Sequence, residues 1–322
     1  MIDRLEFFLA LARTRHFGRA ADLCGVTQPT LSAAIRHLEG ELGVLLVHRG
    51  SRFREFTTEG EQVLEWARRI VADAHAMRDE MRAARHGLSG RIRLAAIPTA
   101  LSTVADLTTP FREMHPGVSF SVLSRTSVEV ISMLGSFEVD VGIAYLDNEL
   151  LGNVLTVPLF AERYMLITTV GAPLSKRDHV TWAEVGKLPL CLLTHDSENR
   201  GIIDRYLMGT RPVLESDSVL ALLAHVMTGE WSSIMPLELT SNLRIADSIS
   251  AIPIGEPGTS RIVGLVAAKR DPHTPLVTAL LALARSRRVT DEVRRRDHGY
   301  AGNAMDAHRQ RCLSKNRVTS AA

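Results

Sequence analysis

The chain has 322 residues, 45 % of them hydrophobic, and its 38 Lys+Arg against 36 Asp+Glu leave a net charge of +2. Such a length predicts two or three domains, and the near-neutral balance excludes a polycation that holds nucleic acid by bulk charge alone. No apolar run is long enough for a bilayer and no secretory leader is expected at the N-terminus; three scattered cysteines (Cys24, Cys191, Cys312) argue against a disulfide framework or a zinc site and for a reducing cytoplasm.

In chain order, Leu5, Phe8, Leu9 and Ala12 recur at helical spacing and predict a helix over Arg4–Thr14. A second helix is expected over Gly18–Leu23, where the small Ala20 and Ala21 permit close crossing by a neighbour. Gly25 suits the left-handed position that ends a helix, Thr27 an N-cap, and Pro29 a first turn, where its missing N–H costs nothing. The third helix, Gln28–Glu41, would bury Leu31, Ile35, Leu38 and Leu42 and turn Gln28, Ser32, Ala33 and Arg36 outward. Those outward residues suit a DNA major groove. Gln pairs bidentately with adenine, Arg with guanine or a phosphate, and Ala meets a thymine methyl. Thr27 and Thr30 fit phosphate contacts at a helix N-terminus. Arg49, Arg52 and Arg54 stand in a short basic turn between two strand-like flanks, a wing for phosphate or a narrow minor groove. A plain three-helix bundle would explain any one of these features; their combination points to DNA reading.

From Gly60 to His86 there is neither Gly nor Pro after the first position. Val63, Ala67, Ile70, Ala74, Met77, Met81 and Ala84 are spaced 4, 3, 4, 3, 4, 3, a heptad seam. A helix of that length spans roughly 40 Å. It would pack on its own domain or pair with a second chain, and the heptad favours pairing through residues 60–86. Gly87–Gly90 then forms a hinge.

Beyond Arg91 the pattern changes to strand and helix in alternation. Strands are expected at Arg91–Ile97, Val118–Leu123 and Val139–Tyr145, with helices at Ser102–His115 and Ser127–Gly135 between them. A second set follows at Pro189–Leu193, Arg200–Met208, Val213–Glu215, Ser218–Thr228 and Ser232–Met235. Glu162–Val170 and Arg261–Ala268 read as long strands crossing between the sets. This is the pattern of a doubly wound α/β sheet, in which ligands sit beyond strand C-termini at helix starts. Three segments qualify: Thr99, Ala100 and Ser102; Thr126 and Ser127; Thr194, Asn199 and Arg200. Serines there could equally be plain helix caps. From Ser286 onward nine Lys/Arg face four Asp/Glu, so that the tail is net +5 and the remainder net −3. With little apolar periodicity, 286–322 is expected to be a basic disordered tail.

Taken together, Phe17, Arg19-Ala20-Ala21, Thr27-Gln28-Pro29, Leu31-Ser32, Ile35, Leu38-Glu39, Leu42-Gly43, Arg49, Arg52, Thr57-Thr58 and Gly60 resemble the winged helix-turn-helix of LysR-type transcriptional regulators. Val47, Phe56 and Glu59 depart from the usual residues there; the first two are exchanges of core volume. The resemblance is dense over about the first sixty residues and holds by pattern to about Arg285. It implies a mixed fold: an all-α winged helix-turn-helix domain (1–59), a linker and dimerisation helix with hinge (60–90), and an α/β, two-lobed effector domain like a periplasmic binding protein (91–285). Lobe I would be 91–162 plus 267–285, and lobe II 163–266. The implied partners are double-stranded DNA, a small-molecule effector, and a second copy in a homodimer or homotetramer, with RNA polymerase a further candidate and no membrane. Trp231 stands where the family usually has Gly, so it is expected to narrow the cleft and favour a small anion or short organic acid. The chain shows no Gly-x-Ser-x-Gly elbow, phosphate loop, metal-ligand spacing or paired catalytic carboxylates, so no catalysis, metal or cofactor is expected. The competing reading is an architectural DNA-binding protein that answers to no ligand.

Overall fold

The computed structural model describes the chain apart from residues 50–52, 148–150, 153, 208, 243–247, 256–260, 271 and 298–322. The first domain packs three helices, α1 (Ile2–Thr14), α2 (Phe17–Leu23) and α3 (Gln28–Leu42), against a two-stranded wing, β1 (Val47–Arg49) and β2 (Phe53–Phe56). Local chemistry sets each boundary. The His16 ring caps α2 by accepting from the amides of Gly18 and Arg19, Gly25 turns at φ 65°, and Thr27 caps α3 through the Thr30 amide. Leu31, Ile35 and Leu38 are buried as their spacing predicts. Leu42 is not: it is 43 % exposed, because the helix ends there and Gly43 turns the chain away at φ 69°. Val47 is buried in the same core, where Phe56 meets Phe8 edge-on at 5.4 Å.

Helix α4 (Thr58–His86) starts on a cap at Thr57, whose hydroxyl accepts from the Gly60 amide. The expected seam divides between two faces. Leu64, Ala67, Val71 and Ala74 are buried, the first three in the core that α1 helps to form, while Trp66, Ile70, Met77 and Met81 stay exposed. Ala67 is thus taken by the helix's own domain and Ala74 is buried as well, and the apolar stripe left for another partner is centred on Trp66, Met77 and Met81.

Past the hinge the chain runs β3 (Gly90–Ala96), α5 (Leu101–Met114), β4 (Val118–Ser124), α6 (Ser127–Gly135), β5 (Val141–Tyr145) and β6 (Val154–Glu162). It crosses to β7 (Tyr164–Thr169), α7 (Trp182–Val185), β8 (Cys191–Leu193), α8 (Glu198–Tyr206), β9 (Leu214–Ser216), α9 (Val219–Met227), β10 (Ser233–Pro236), α10 (Leu237–Asn242) and β11 (Ile249–Pro253). It returns as β12 (Arg261–Ala268) and closes with α11 (Pro275–Asp297). Lobe I is a five-stranded sheet in the order β4-β3-β5-β12-β6, in which β4, β3 and β5 are parallel and β12 is antiparallel to both its neighbours, β5 and β6. Lobe II holds the antiparallel β10-β7-β11 and the parallel pair β8-β9.

Three expectations need correction. Arg261–Ala268 is no crossing strand: β12 pairs along its whole length with β6, so the return to lobe I precedes it rather than falling at residue 267. The strands β6 and β11 were not foreseen. The boundary at Ser286 falls inside α11, which continues to Asp297; Leu276, Val277, Leu280, Leu281 and Ala284 anchor it on lobe I, and no Gly or Pro interrupts the charged turns beyond. Residues 298–322 lie outside the described residues. No described helix is long and apolar enough to cross a membrane.

Candidate functional site

Two surfaces hold the chemistry. On the first, α3 turns Gln28, Pro29, Thr30, Ala33 and Arg36 to solvent, with Ser32 half-buried at the edge. Thr27 and Thr30 join hydroxyls at 2.8 Å, so the helix start arrives with its side chains already ordered. Arg36 carries no carboxylate partner among the described residues and is left available. Arg54 is exposed on β2. Arg49 ends β1 with its side chain, like all of Arg52, outside the described residues.

The second surface is a cleft of about 720 Å³ between the lobes. Lobe I contributes Leu101, Ser102, Arg125, Thr126 and Glu129 from the starts of α5 and α6. Lobe II contributes Asp196, Asp217, Ser218, Leu220 and Leu223 from the loop before α8 and the start of α9. Of the expected effector residues, Ser102 and Thr126 line this cleft. Thr126 also caps α6 in a reciprocal box with Glu129. Ser218 caps α9 through the Ala221 amide. The remaining residues are used elsewhere. Thr99, Ala100 and Ser127 are buried, and Ser127 donates to the Glu198 carboxylate at 2.5 Å, a direct bond from α6 of one lobe to α8 of the other. Thr194 is not among the lining residues; its hydroxyl holds the Asp196 carboxyl below its usual range. Asn199 is 2 % exposed, its amide without a hydrogen-bond partner among the described residues. Arg200 is an internal staple of lobe II, pairing with Asp204 at 2.7 Å and Glu215 at 2.6 Å and donating to the Leu193 carbonyl at 2.9 Å.

Trp231 is the clearest correction. It packs against the lobe II core cluster to which Met165, Leu223 and Met235 belong, edge-on to His225 at 5.7 Å, and is not among the residues lining the cleft. Its family position said nothing about which wall it joins. The residues missed by sequence reasoning, Arg125, Asp217 and Leu220, flank Thr126 and Ser218, helix starts that were recognised; the adjacent charges were the available signal. They alter the electrostatics expected. Arg125 faces Glu129, Asp196 and Asp217, so the described lining is net acidic rather than an anion cradle.

Below the cleft, at the end of β6 where lobe I hands the chain to lobe II, Glu162 is fully buried. Its Oε2 accepts from the Tyr145 hydroxyl at 2.6 Å and the Tyr164 hydroxyl at 3.3 Å, while Oε1 has no partner among the described residues. Burial pushes this carboxyl up to about 7, against the opposing pull of the Tyr145, Thr99 and Tyr164 hydroxyls and with Glu238 adding to the rise. Cys191 is buried in β8, and burial raises its thiol to about 11. No group of metal-ligating side chains occurs among the described residues.

Comparison with known proteins agrees with this architecture. Residues 2–61 match the bacterial regulatory helix-turn-helix protein, lysR family, and residues 85–288 match the LysR substrate binding domain. The DNA-binding transcriptional dual regulator OxyR of Escherichia coli K12 is 28 % identical over 293 residues, 89 % of this chain and 95 % of that protein. A full-length OxyR variant from Pseudomonas aeruginosa superposes with a TM-score of 0.68 at 26 % identity, covering 89 % of this chain and 94 % of that one. The LysR-family regulator CbnR in complex with its target DNA shares the fold, with a TM-score of 0.61 at 23 % identity, covering 89 % of this chain and 99 % of that one. With family matches to the helix-turn-helix and to the effector domain that together span most of its length, the chain belongs to the LysR family of DNA-binding, effector-controlled transcription regulators.

Proposed function

We propose that the protein reads operator DNA with the outer face of α3 and the wing, and that a small molecule seated between the lobes sets how it does so. The observation that carries this reading is the cleft itself, walled by helix starts from both lobes and bridged by the Ser127–Glu198 bond. A ligand touching both walls binds the closed and open arrangements unequally, which is the condition for controlling anything. The lining favours an effector with an apolar body against Leu101, Leu220 and Leu223 and with both signs of charge, a carboxylate for Arg125 and an amino or other donor group for Asp196 and Asp217. A short organic acid remains the class, now with a donor attached; a bare anion would meet three carboxylates. The relatives' regulatory names support a role in transcription rather than catalysis, and the cytoplasm is where such a protein meets its operator.

Several relatives carry the name hydrogen peroxide-inducible genes activator. A peroxide response through Cys191 fits this chain poorly: thiolate is the reactive form, and burial keeps this thiol protonated. Cys24, in the DNA-reading domain, is likewise raised by burial, and Cys312 lies outside the described residues.

The test is a thermal-shift screen of small amphoteric acids followed by Leu220→Trp. Leu220 is 76 % exposed at the cleft wall, so the larger side chain fills the cleft without disturbing the core. The expected outcome is loss of the ligand-induced shift with ligand-free DNA binding retained. An undiminished shift in both Leu220→Trp and Thr126→Ala would remove the effector from this cleft.

The same proposal takes the exposed stripe of α4 as a self-association surface, bringing two copies of α3 to two half-sites. Trp66, Met77 and Met81 are each about 60 % exposed, costly in water for an isolated chain. Met77→Glu with Met81→Glu is expected to yield monomers in sedimentation analysis and to weaken operator binding. An unchanged oligomer would move the interface elsewhere.

A further inference from the structure

The first domain, α4 and lobe I enclose a second cavity of about 510 Å³, which shares no lining residue with the effector cleft. Its basic groups come from three elements: Arg13 from α1, Arg68 and His75 from α4, and Arg93 from β3. Glu138 is its single acidic lining residue among those described. Two of the basic groups are already engaged. Arg93 holds Asp140 through Nη2 at 2.7 Å and Nε at 3.2 Å, and His75 Nε2 lies 2.8 Å from Glu6. The Glu138 carboxylate accepts from the Ser136 hydroxyl at 2.9 Å. Arg13 and Arg68 have no carboxylate partner among the described residues.

Two unpaired guanidinium groups thus face one cavity whose other walls, Leu9, Val71 and Phe137, are apolar. Apolar walls lower the local dielectric and strengthen attraction for an incoming anion. The junction is also held in a particular arrangement. Phe137 sits at φ 56°, a conformation that bulky residues rarely adopt, with the Arg270 guanidinium 6.0 Å over its ring. Arg270 in turn pairs with Asp73 of α4 at 2.6 Å.

We propose that this junction is a binding site for a small polyvalent oxyanion, a phosphate or a di- or tricarboxylate, held between Arg13 and Arg68. Guanidinium forks match the paired oxygens of such anions. Arg93, held in place by Asp140, and Phe137 wall the site on the lobe I side, so that the bound anion sits where the DNA-reading domain meets the effector domain. The site answers to an input separate from the effector cleft.

Calorimetric titration of the full-length protein with sodium pyrophosphate at fixed ionic strength tests this. Saturable binding is expected, weakened by about tenfold or more in Arg13→Gln/Arg68→Gln and unchanged in the cleft variant Thr126→Ala. Absence of saturable binding, or equal binding by the double variant, would overturn the proposal. So would a double variant that loses operator affinity and salt dependence without pyrophosphate present, since the arginines would then be contacts to the DNA backbone.

Discussion

Glu162→Gln is expected to stabilise the effector domain above neutral pH and to flatten its pH dependence. Glu162 is fully buried, and its carboxyl is raised from an ordinary 4.5 to about 7 by burial, despite hydrogen bonds from Tyr145 and Tyr164. Between these two values the folded protein binds more protons than the unfolded chain, so stability falls as pH rises. Each unit is worth about 1.4 kcal/mol, which makes the charged side chain cost about 3 kcal/mol by pH 8 and almost nothing at pH 4. Glutamine keeps an oxygen for the Tyr145 hydroxyl and cannot ionise. Chemical denaturation from pH 5 to pH 8 should show wild type losing stability across the range and the variant holding nearly level. Parallel profiles would mean that Glu162 is not the titrating group. The cost also bears on function. Glu162 stands where the chain passes between lobes, so an arrangement that admits water to it relieves the penalty and is favoured as pH rises.

Glu162 illustrates what could be read from residues alone. Nothing distinguishes it in sequence from a surface glutamate at a strand end; its role comes from Tyr145 and Tyr164, supplied by two other strands. Features set by neighbours within one turn were legible. Gly25, Thr27 and Pro29 mark the helix-turn-helix, and Leu31, Ile35 and Leu38 mark its buried face, because caps and periodicity act locally. Strand β6 was not legible: it is an edge of the lobe I sheet and contains Pro158, which edge strands tolerate and which reads as a breaker in isolation. The α4 heptad showed that a stripe exists without showing that α1 covers part of it. In the cleft, Thr126 and Ser218 were visible as helix starts, whereas Arg200 and Trp231 misled. A charged or aromatic side chain does not declare whether its partner lies across the cleft or inside its own lobe, and Glu215 and His225 proved to be those partners.

Gly60→Ala is expected to unfold the DNA-reading domain selectively, although alanine is ordinarily the better helix former. A Cβ at Gly60 would lie 2.1 Å from the Leu46 carbonyl oxygen and 3.2 Å from Thr57 Oγ1. The offending atom is backbone, so no rotamer change relieves it. Those same atoms tie the domain together. The Leu46 carbonyl accepts from the Thr57 amide at 3.1 Å, and the Leu46 amide donates to the buried Glu39 carboxylate at 3.0 Å. The Thr57 hydroxyl donates to Leu45 at 2.6 Å and accepts from Gly60 at 2.9 Å. Moving Leu46 therefore loosens the end of α3, the root of the wing and the start of α4 together. Overpacking of this kind costs about 3 kcal/mol, which lowers the melting point of a domain this small by on the order of 15 °C. Gly40 is the contrasting case: it lies inside α3 with nothing within 4 Å of an added Cβ. There the helix propensity of alanine acts alone, and Gly40→Ala should stabilise by up to about 1 kcal/mol. Calorimetry that resolves the two domains, with operator binding measured alongside, checks both variants. Equal melting of Gly60→Ala and wild type would mean that Leu46 yields without cost, and that the close approach at Gly60 does not hold the wing to α4.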